Sequence, residues 1–175
     1  VKLGFNHLLD RTPDYVVSGI NHGANSSISV IYSGTMGAAI EGCLHGVPSV
    51  GFSLLDFNPD ADFGKAKIYT ARIFQTLLEN EMPLYTCLNV NIPVGVPRGI
   101  QFCRQARGKW VEEFEKRTDP HNRHYFWLTG SFLNFEKEAK DTDLYVLEKN
   151  YVSIVPVKVD MTCYEAMDEL KSWKF

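Results

Sequence analysis

The chain has too little of several things to support whole classes of function. Its 175 residues contain four cysteines, Cys43, Cys87, Cys103 and Cys163, scattered with no Cys-x-x-Cys pairing, and five dispersed histidines with no His-Glu-x-x-His spacing. That distribution argues against a zinc site and against a disulfide framework, and fits reduced thiols acting as small hydrophobes in a cytoplasmic protein. Basic residues are not in excess, and with a formal net charge of −3 the electrostatic footprint of a nucleic-acid or anionic-membrane binder is absent. The apolar runs are short. Val47–Leu55 is interrupted by Pro48 and Ser49, far below what a bilayer span needs, and no secretory signal heads the chain. The segment GINHGAN lacks the Gly-x-Gly-x-x-Gly spacing of a dinucleotide site, which disfavours a nicotinamide-dependent oxidoreductase. The loop DFNPDADF carries Asp56, Asp60 and Asp62 but neither the glycine nor the terminal glutamate of a calcium loop, and reads as a solvated loop with helix-capping aspartates.

What remains is the composition of one soluble α/β domain: 45% hydrophobic, 13% aromatic and 22% charged residues. Residues 1–9 read as a helix end, 14–18 as a buried strand after Pro13, 35–45 as a helix stopped by Gly46 and Pro48, 49–54 as a strand, 65–81 as a helix and 86–92 as a strand. Strand and helix in alternation predict a Rossmann-like, mostly parallel sheet with right-handed crossovers. After Pro93 the pattern changes. GIQFCRQA and HYFWLTGSF read as strands, with the polar stretch KWVEEFEKRTDPHNRH between them as a projecting hairpin or arm. A short helix follows at 143–149 with Asp143 as its cap, then the strand YVSIVPVKV, then a C-terminal helix over 163–173 that Asp160 precedes. The expected organisation is a core over 1–93 and a hairpin, strand and helix extension over 94–175 of the same domain. Trp110, Phe114 and Trp173 suit either a subunit interface or the subunit's own core.

The densest chemical signal is residues 15–46, in which a strand runs into a Gly/Asn/Ser-rich loop and a Ser-Gly-Thr turn opens a helix of small residues. Loops at the carboxyl ends of strands in open α/β sheets are where ligands bind. Gly19, Gly23 and Gly34 permit close backbone approach, and the first turn at Ser33, Gly34, Thr35 and Met36 presents amides and hydroxyls to an anion. Asn21 and Asn25 lie on the same loop, with Gly23 and Asn25 as a substrate loop. A phosphate or a hydrated metal ion is the expected guest, against the plainer alternative that Ser33 only caps the helix.

The segments DYVVSGINHGAN, VIYSGTMGAAIEGCLHGVPSVGFSL, LNVNIP and YVSIVPVKVDMT resemble, in order and spacing, the SurE (survival protein E) family of metal-dependent nucleoside monophosphate phosphatases. The resemblance covers nearly the whole chain and is looser over 94–150. It implies a phosphomonoesterase acting on nucleoside 5′- or 3′-monophosphates, Mg²⁺ or Mn²⁺ as cofactor, Asn21 as a metal ligand, Ser33, Gly34 and Thr35 at the phosphate, and homodimers or homotetramers formed by exchange of hairpin and C-terminal elements. The family's metal-binding aspartates lie in an N-terminal Asn-Asp-Asp-Gly motif, and no Asp-Asp pair occurs in these 175 residues. The expectation is therefore a chain that opens in mid-fold, with the catalytic carboxylates unassigned. The alternative is a phosphate-binding or assembly module that is catalytically incomplete.

Overall fold

A computed structural model describes residues 1–174. A helical turn over Gly4–Leu8 buries none of its residues, and β1 (Val16–His22) follows. A 3₁₀ segment, Ser27–Tyr32, leads to α1 (Gly34–Leu44), then come β2 (Ser49–Leu54), α2 (Gly64–Leu78) and β3 (Thr86–Ile92). The second half contributes β4 (Ile100–Phe102), β5 (Gly108–Val111), β6 (Phe114–Thr118), β7 (His124–Leu128), β8 (Ser131–Asn134), α3 (Asp143–Glu148), β9 (Val152–Lys158) and α4 (Tyr164–Leu170).

The central sheet has the order β1-β2-β3-β9-β4. The strands β1, β2 and β3 are mutually parallel, and β9 runs antiparallel to β3 with β4 parallel to β9. The α/β class and the largely parallel core are those expected from the strand and helix alternation. β2 is buried along its whole length, which is why its sequence is apolar or small throughout rather than alternating.

Each face of the sheet has its own packing. On one face Val50, Phe52, Leu54, Val90, Ile92, Val152 and Ile154 pack with Ala66, Ile73 and Leu77 of α2, spaced as one helical stripe. On the other, Met36, Ala39 and Cys43 of α1 pack with Val30 and Cys87. α1 lies close because the sheet beneath it carries Gly51, where a Cβ would stand 2.5 Å from Met36 Sδ. Burial pushes the Cys87 thiol up to about 12, consistent with a packing role.

Several boundaries differ from those read off the sequence. β1 extends to His22 rather than stopping at residue 18, so Asn21 lies within the strand's last turn of pleat. The register slips between Ser18 and Asn21, and the chain recovers pairing at Asn21 with Ser53. α2 ends at Leu78, short of 81, where Asn80 Nδ2 folds back onto the Thr76 carbonyl at 2.8 Å. The segment HYFWLTGSF is two strands, because Gly130 adopts φ +122° between β7 and β8. The projecting arm is thereby built in two tiers, β5 with β8 at its root and β6 with β7 at its tip. α4 spans Tyr164–Leu170 rather than 163–173. Phe114 and Trp173 are exposed at 65% and 63%, so neither completes the subunit's core. No helix among the described residues is long and apolar enough to cross a membrane.

Candidate functional site at the carboxyl ends of the parallel strands

A row of polar side chains crosses the sheet near the carboxyl ends of the parallel strands. Asn21 of β1 is in register with Ser53 of β2, Ser53 with Asn91 of β3, Asn91 with Ser153 of β9, and Ser153 with Gln101 of β4. Ser53, Asn91 and Ser153 are fully buried. A buried polar group is costly unless it is hydrogen-bonded, and the loop after β1 supplies partners for Ser53 and Asn91, while Ser153 Oγ has none. The Asn25 backbone N–H donates to Asn91 Oδ1 at 2.8 Å, and Asn25 Nδ2 donates to Ser53 Oγ at 2.7 Å. Asn89 Nδ2 donates to the Asn25 carbonyl at 2.8 Å, while Asn91 Nδ2 donates to Asn89 Oδ1 at 3.0 Å. Asn25 is thus a buried anchor that moulds the loop.

Gly23 is buried beneath the Phe57 ring, its φ is +85°, and its N–H donates to the Asp56 carbonyl at 3.0 Å. A side chain there would collide with Phe57. Asn21 is half-buried, and its Nδ2 donates to the His22 carbonyl at 2.8 Å and the Gly23 carbonyl at 2.9 Å. Both bonds are made by Nδ2, and Oδ1 is left as an available acceptor. That oxygen suits a hard cation, but Mg²⁺ or Mn²⁺ needs carboxylate oxygens beside it. No group of three His, Cys, Asp or Glu side chains stands close enough to hold an ion among the described residues. The residues present do not by themselves form a cation site.

Ser33 is the N-cap of α1, and its Oγ accepts from the Met36 N–H at 3.0 Å. The plain capping role is therefore real. It does not use up the turn. The Gly37 N–H returns to the Ser33 carbonyl at 2.8 Å, which leaves the Gly34 and Thr35 amides as first-turn donors of the kind that receive anions. Asn21 and the Ser33–Thr35 turn flank one excursion, 23–33, between β1 and α1.

Asp143 is not the cap of α3. That role belongs to Thr142, whose Oγ1 accepts from the Tyr145 N–H at 3.3 Å. The Asp143 carboxylate is fully buried and accepts from Ser27 N, Ala106 N and Leu144 N at 2.7, 3.0 and 2.8 Å. Burial raises its pKa, and these backbone donors pull it back down. The aspartates of the 56–62 loop are solvent-facing turn formers: Asp56 Oδ1 accepts from Asn58 N at 2.9 Å and Asp62 Oδ1 from Gly64 N at 2.7 Å. Asp160, on the approach to α4, takes the Thr162 N–H at 2.9 Å and the Tyr164 hydroxyl, which hold its pKa down at about 2. Sequence reasoning did not single out Ser53, Asn89, Asn91 or Ser27. The one signal available was asparagine at alternate positions of the otherwise apolar strand LNVNI.

The family described as Survival protein SurE matches residues 1–112. A relative named 5′-nucleotidase SurE from Christiangramia forsetii is 50% identical over 99% of this chain and 67% of its own length. Another of that name from Bacteroides thetaiotaomicron is 51% identical, again over 99% of this chain and 67% of its own length. The crystal structure of the SurE protein from Aquifex aeolicus superposes with a TM-score of 0.80 at 32% identity, covering 97% of this chain and 69% of that one. Fold and sequence agree, and the chain belongs to the survival protein SurE family.

Proposed function

We propose that the chain is the phosphate-binding part of a metal-dependent phosphomonoesterase that hydrolyses nucleoside 5′-monophosphates, and 3′-monophosphates as well. The observation that carries this reading is that the connection from β1 to α1 begins after Asn21, whose Nδ2 is taken by the His22 and Gly23 carbonyls, and ends at the Ser33-capped first turn of α1. The Ser33, Gly34 and Thr35 turn stabilises charge on the transferring phosphoryl group through preorganised dipoles, which need no rearrangement as that charge develops. Gly23 and Asn25 shape the loop that borders the substrate. A Mg²⁺ or Mn²⁺ ion, when bound, supplies charge neutralisation and acidifies water, with Asn21 as one neutral ligand beside carboxylates of the kind the family's Asn-Asp-Asp-Gly motif provides. The relatives named 5′-nucleotidase SurE support a hydrolase.

Assembly as a homodimer or homotetramer in the cytoplasm belongs to the same reading. It is supported by the exposed Phe114, Phe126 and Trp127 of the arm and by the stripe Tyr164, Met167, Leu170 on α4, which has no buried residue. The test is a phosphatase assay of the complete enzyme over a panel of nucleoside 5′- and 3′-monophosphates, with and without EDTA. Turnover that EDTA abolishes and Mg²⁺ or Mn²⁺ restores is expected. Phosphate binding without turnover under every metal condition would favour the catalytically incomplete binding module instead.

A further inference from the structure

The excursion between β1 and α1 is pinned at its middle by a residue in an unusual conformation. Ser27 is 1% exposed and has φ +52°, a left-handed backbone that a non-glycine residue keeps only where its surroundings impose it. Two contacts impose it. The Ser27 N–H donates to Asp143 Oδ2 at 2.7 Å, and Ser27 Oγ donates to the Ala106 carbonyl at 2.8 Å. Asp143 Oδ1 in turn accepts from Ala106 N at 3.0 Å and Leu144 N at 2.8 Å, so one carboxylate ties three segments of chain together. Its acceptor sites are met entirely by backbone donors.

A wholly buried carboxylate is expensive when no cation accompanies it, and α3 does not need it as a cap because Thr142 already serves. What the carboxylate does is fix Ser27, the first residue of the 3₁₀ segment Ser27–Tyr32 that delivers the chain to Ser33. We propose that Asp143 is a positioning residue for the phosphoryl site: by clamping the left-handed turn at Ser27 it sets where the Ser33–Thr35 amides and hydroxyls meet the phosphate. This rests on the phosphomonoesterase reading and adds to it a residue more than a hundred positions away in sequence.

Asparagine at 143 keeps one oxygen and replaces the other with an amide NH2, so the Ser27 N–H loses its acceptor when the NH2 takes the Oδ2 position, and the Ala106 and Leu144 N–H groups lose theirs when it takes Oδ1. A displaced phosphate turn weakens the binding of substrate and of free phosphate together. In the complete enzyme, Asp143→Asn is expected to raise KM for a nucleoside monophosphate and the inhibition constant of inorganic phosphate in parallel, each by about tenfold. Arg104→Gln is the control. It breaks the Arg104 pairs with Glu136 and Asp141 at the same junction without touching Ser27, and is expected to lower the thermal midpoint while leaving both constants within about twofold of wild type.

Constants unchanged in Asp143→Asn, or an equal rise in Arg104→Gln, would each overturn the proposal. Should Asp143→Asn not fold, Ser27→Ala keeps the Asp143 contact but loses the Ala106 bond, and must itself raise the phosphate inhibition constant for the proposal to stand. Wild-type enzyme that hydrolyses no phosphomonoester overturns the phosphatase reading and this inference together. Active wild type with an unmoved Asp143→Asn overturns this inference alone.

Discussion

The backbone N–H of Asn25 donates to Asn91 Oδ1 at 2.8 Å, joining the loop after β1 to the end of β3 across the intervening strand. Both residues are buried, at 6% and 0% exposure. The carboxyl edge of the sheet is therefore held by side-chain amides where a longer ladder of backbone bonds would otherwise serve, and Asn91 is its central member, touching Asn25 and Asn89 at once.

Replacing Asn91 tests that arrangement. Asn91→Ala leaves the Asn25 N–H and the Asn89 Oδ1 without partners, and each orphaned buried group costs about 1–3 kcal/mol. Urea unfolding of the complete enzyme is expected to show a loss of about 2–4 kcal/mol, accompanied by lower turnover because the loop that follows β1 loses its shape. A stability change below about 1 kcal/mol would mean that the amide network is not what fixes the loop.

Asn21 should behave in the opposite way. Its Nδ2 bonds only to the neighbouring His22 and Gly23 carbonyls, so Asn21→Ala removes little that holds the fold. In the complete enzyme, metal-dependent turnover is expected to fall by about two orders of magnitude, the scale of losing one preorganised polar group where charge develops, with the urea midpoint nearly unchanged. Full activity together with unaltered metal affinity would remove Asn21 from the metal's shell.

The contrast between these two asparagines shows what the sequence made legible. The alternation of strand and helix, the small-residue helix and its Ser33 start were readable because local periodicity and capping chemistry decide them. The end of β1 was not, because Ser18-Gly19-Ile20-Asn21-His22 has the composition of a turn. Pairing of Asn21 and His22 with Ser53 and Leu54 keeps it in the sheet. Asn89 and Asn91 alternate with Leu88, Val90 and Ile92, the pattern of a solvent-facing strand, yet loop 23–27 and α1 cover that face. Asp143 looked like a cap because its bonds to Ser27 and Ala106 span 116 and 37 residues, separations at which sequence spacing carries no signal.

Ser33 has two roles that different substitutions separate. Its Oγ accepts the Met36 N–H, so Ser33→Ala is expected to cost about 1 kcal/mol while Ser33→Gly costs only a few tenths. If the hydroxyl also donates to substrate phosphate, both variants raise KM by a similar factor although their stabilities differ. Unchanged KM in Ser33→Gly would reduce Ser33 to a cap.

The root of the arm should be acid-sensitive, and Arg104 is the reason. Its guanidinium donates to Glu136 Oε2 at 2.9 Å and to Asp141 Oδ2 at 2.8 Å. Those contacts hold both carboxyls below their ordinary values, with the Arg107 backbone N–H assisting at Glu136. A carboxyl whose pKa is lower when folded than when unfolded adds stability above its unfolded value and loses it as pH falls through the lowered one. The window therefore opens below the ordinary carboxylate range of about 4. Asp143 runs the other way, since burial raises its pKa and acidification relieves the cost of its charge. Arg104→Gln leaves that contribution in place, so the difference between wild type and variant isolates the arm. Followed by hydrogen exchange at the amides of β5 and β8, the wild-type arm is expected to keep its protection from pH 7 down to about 4.5 and to lose it progressively below about 4, whereas the variant starts less protected and changes less with pH. Parallel curves for the two proteins across this range would show that the Arg104 pairs do not hold the arm to the body.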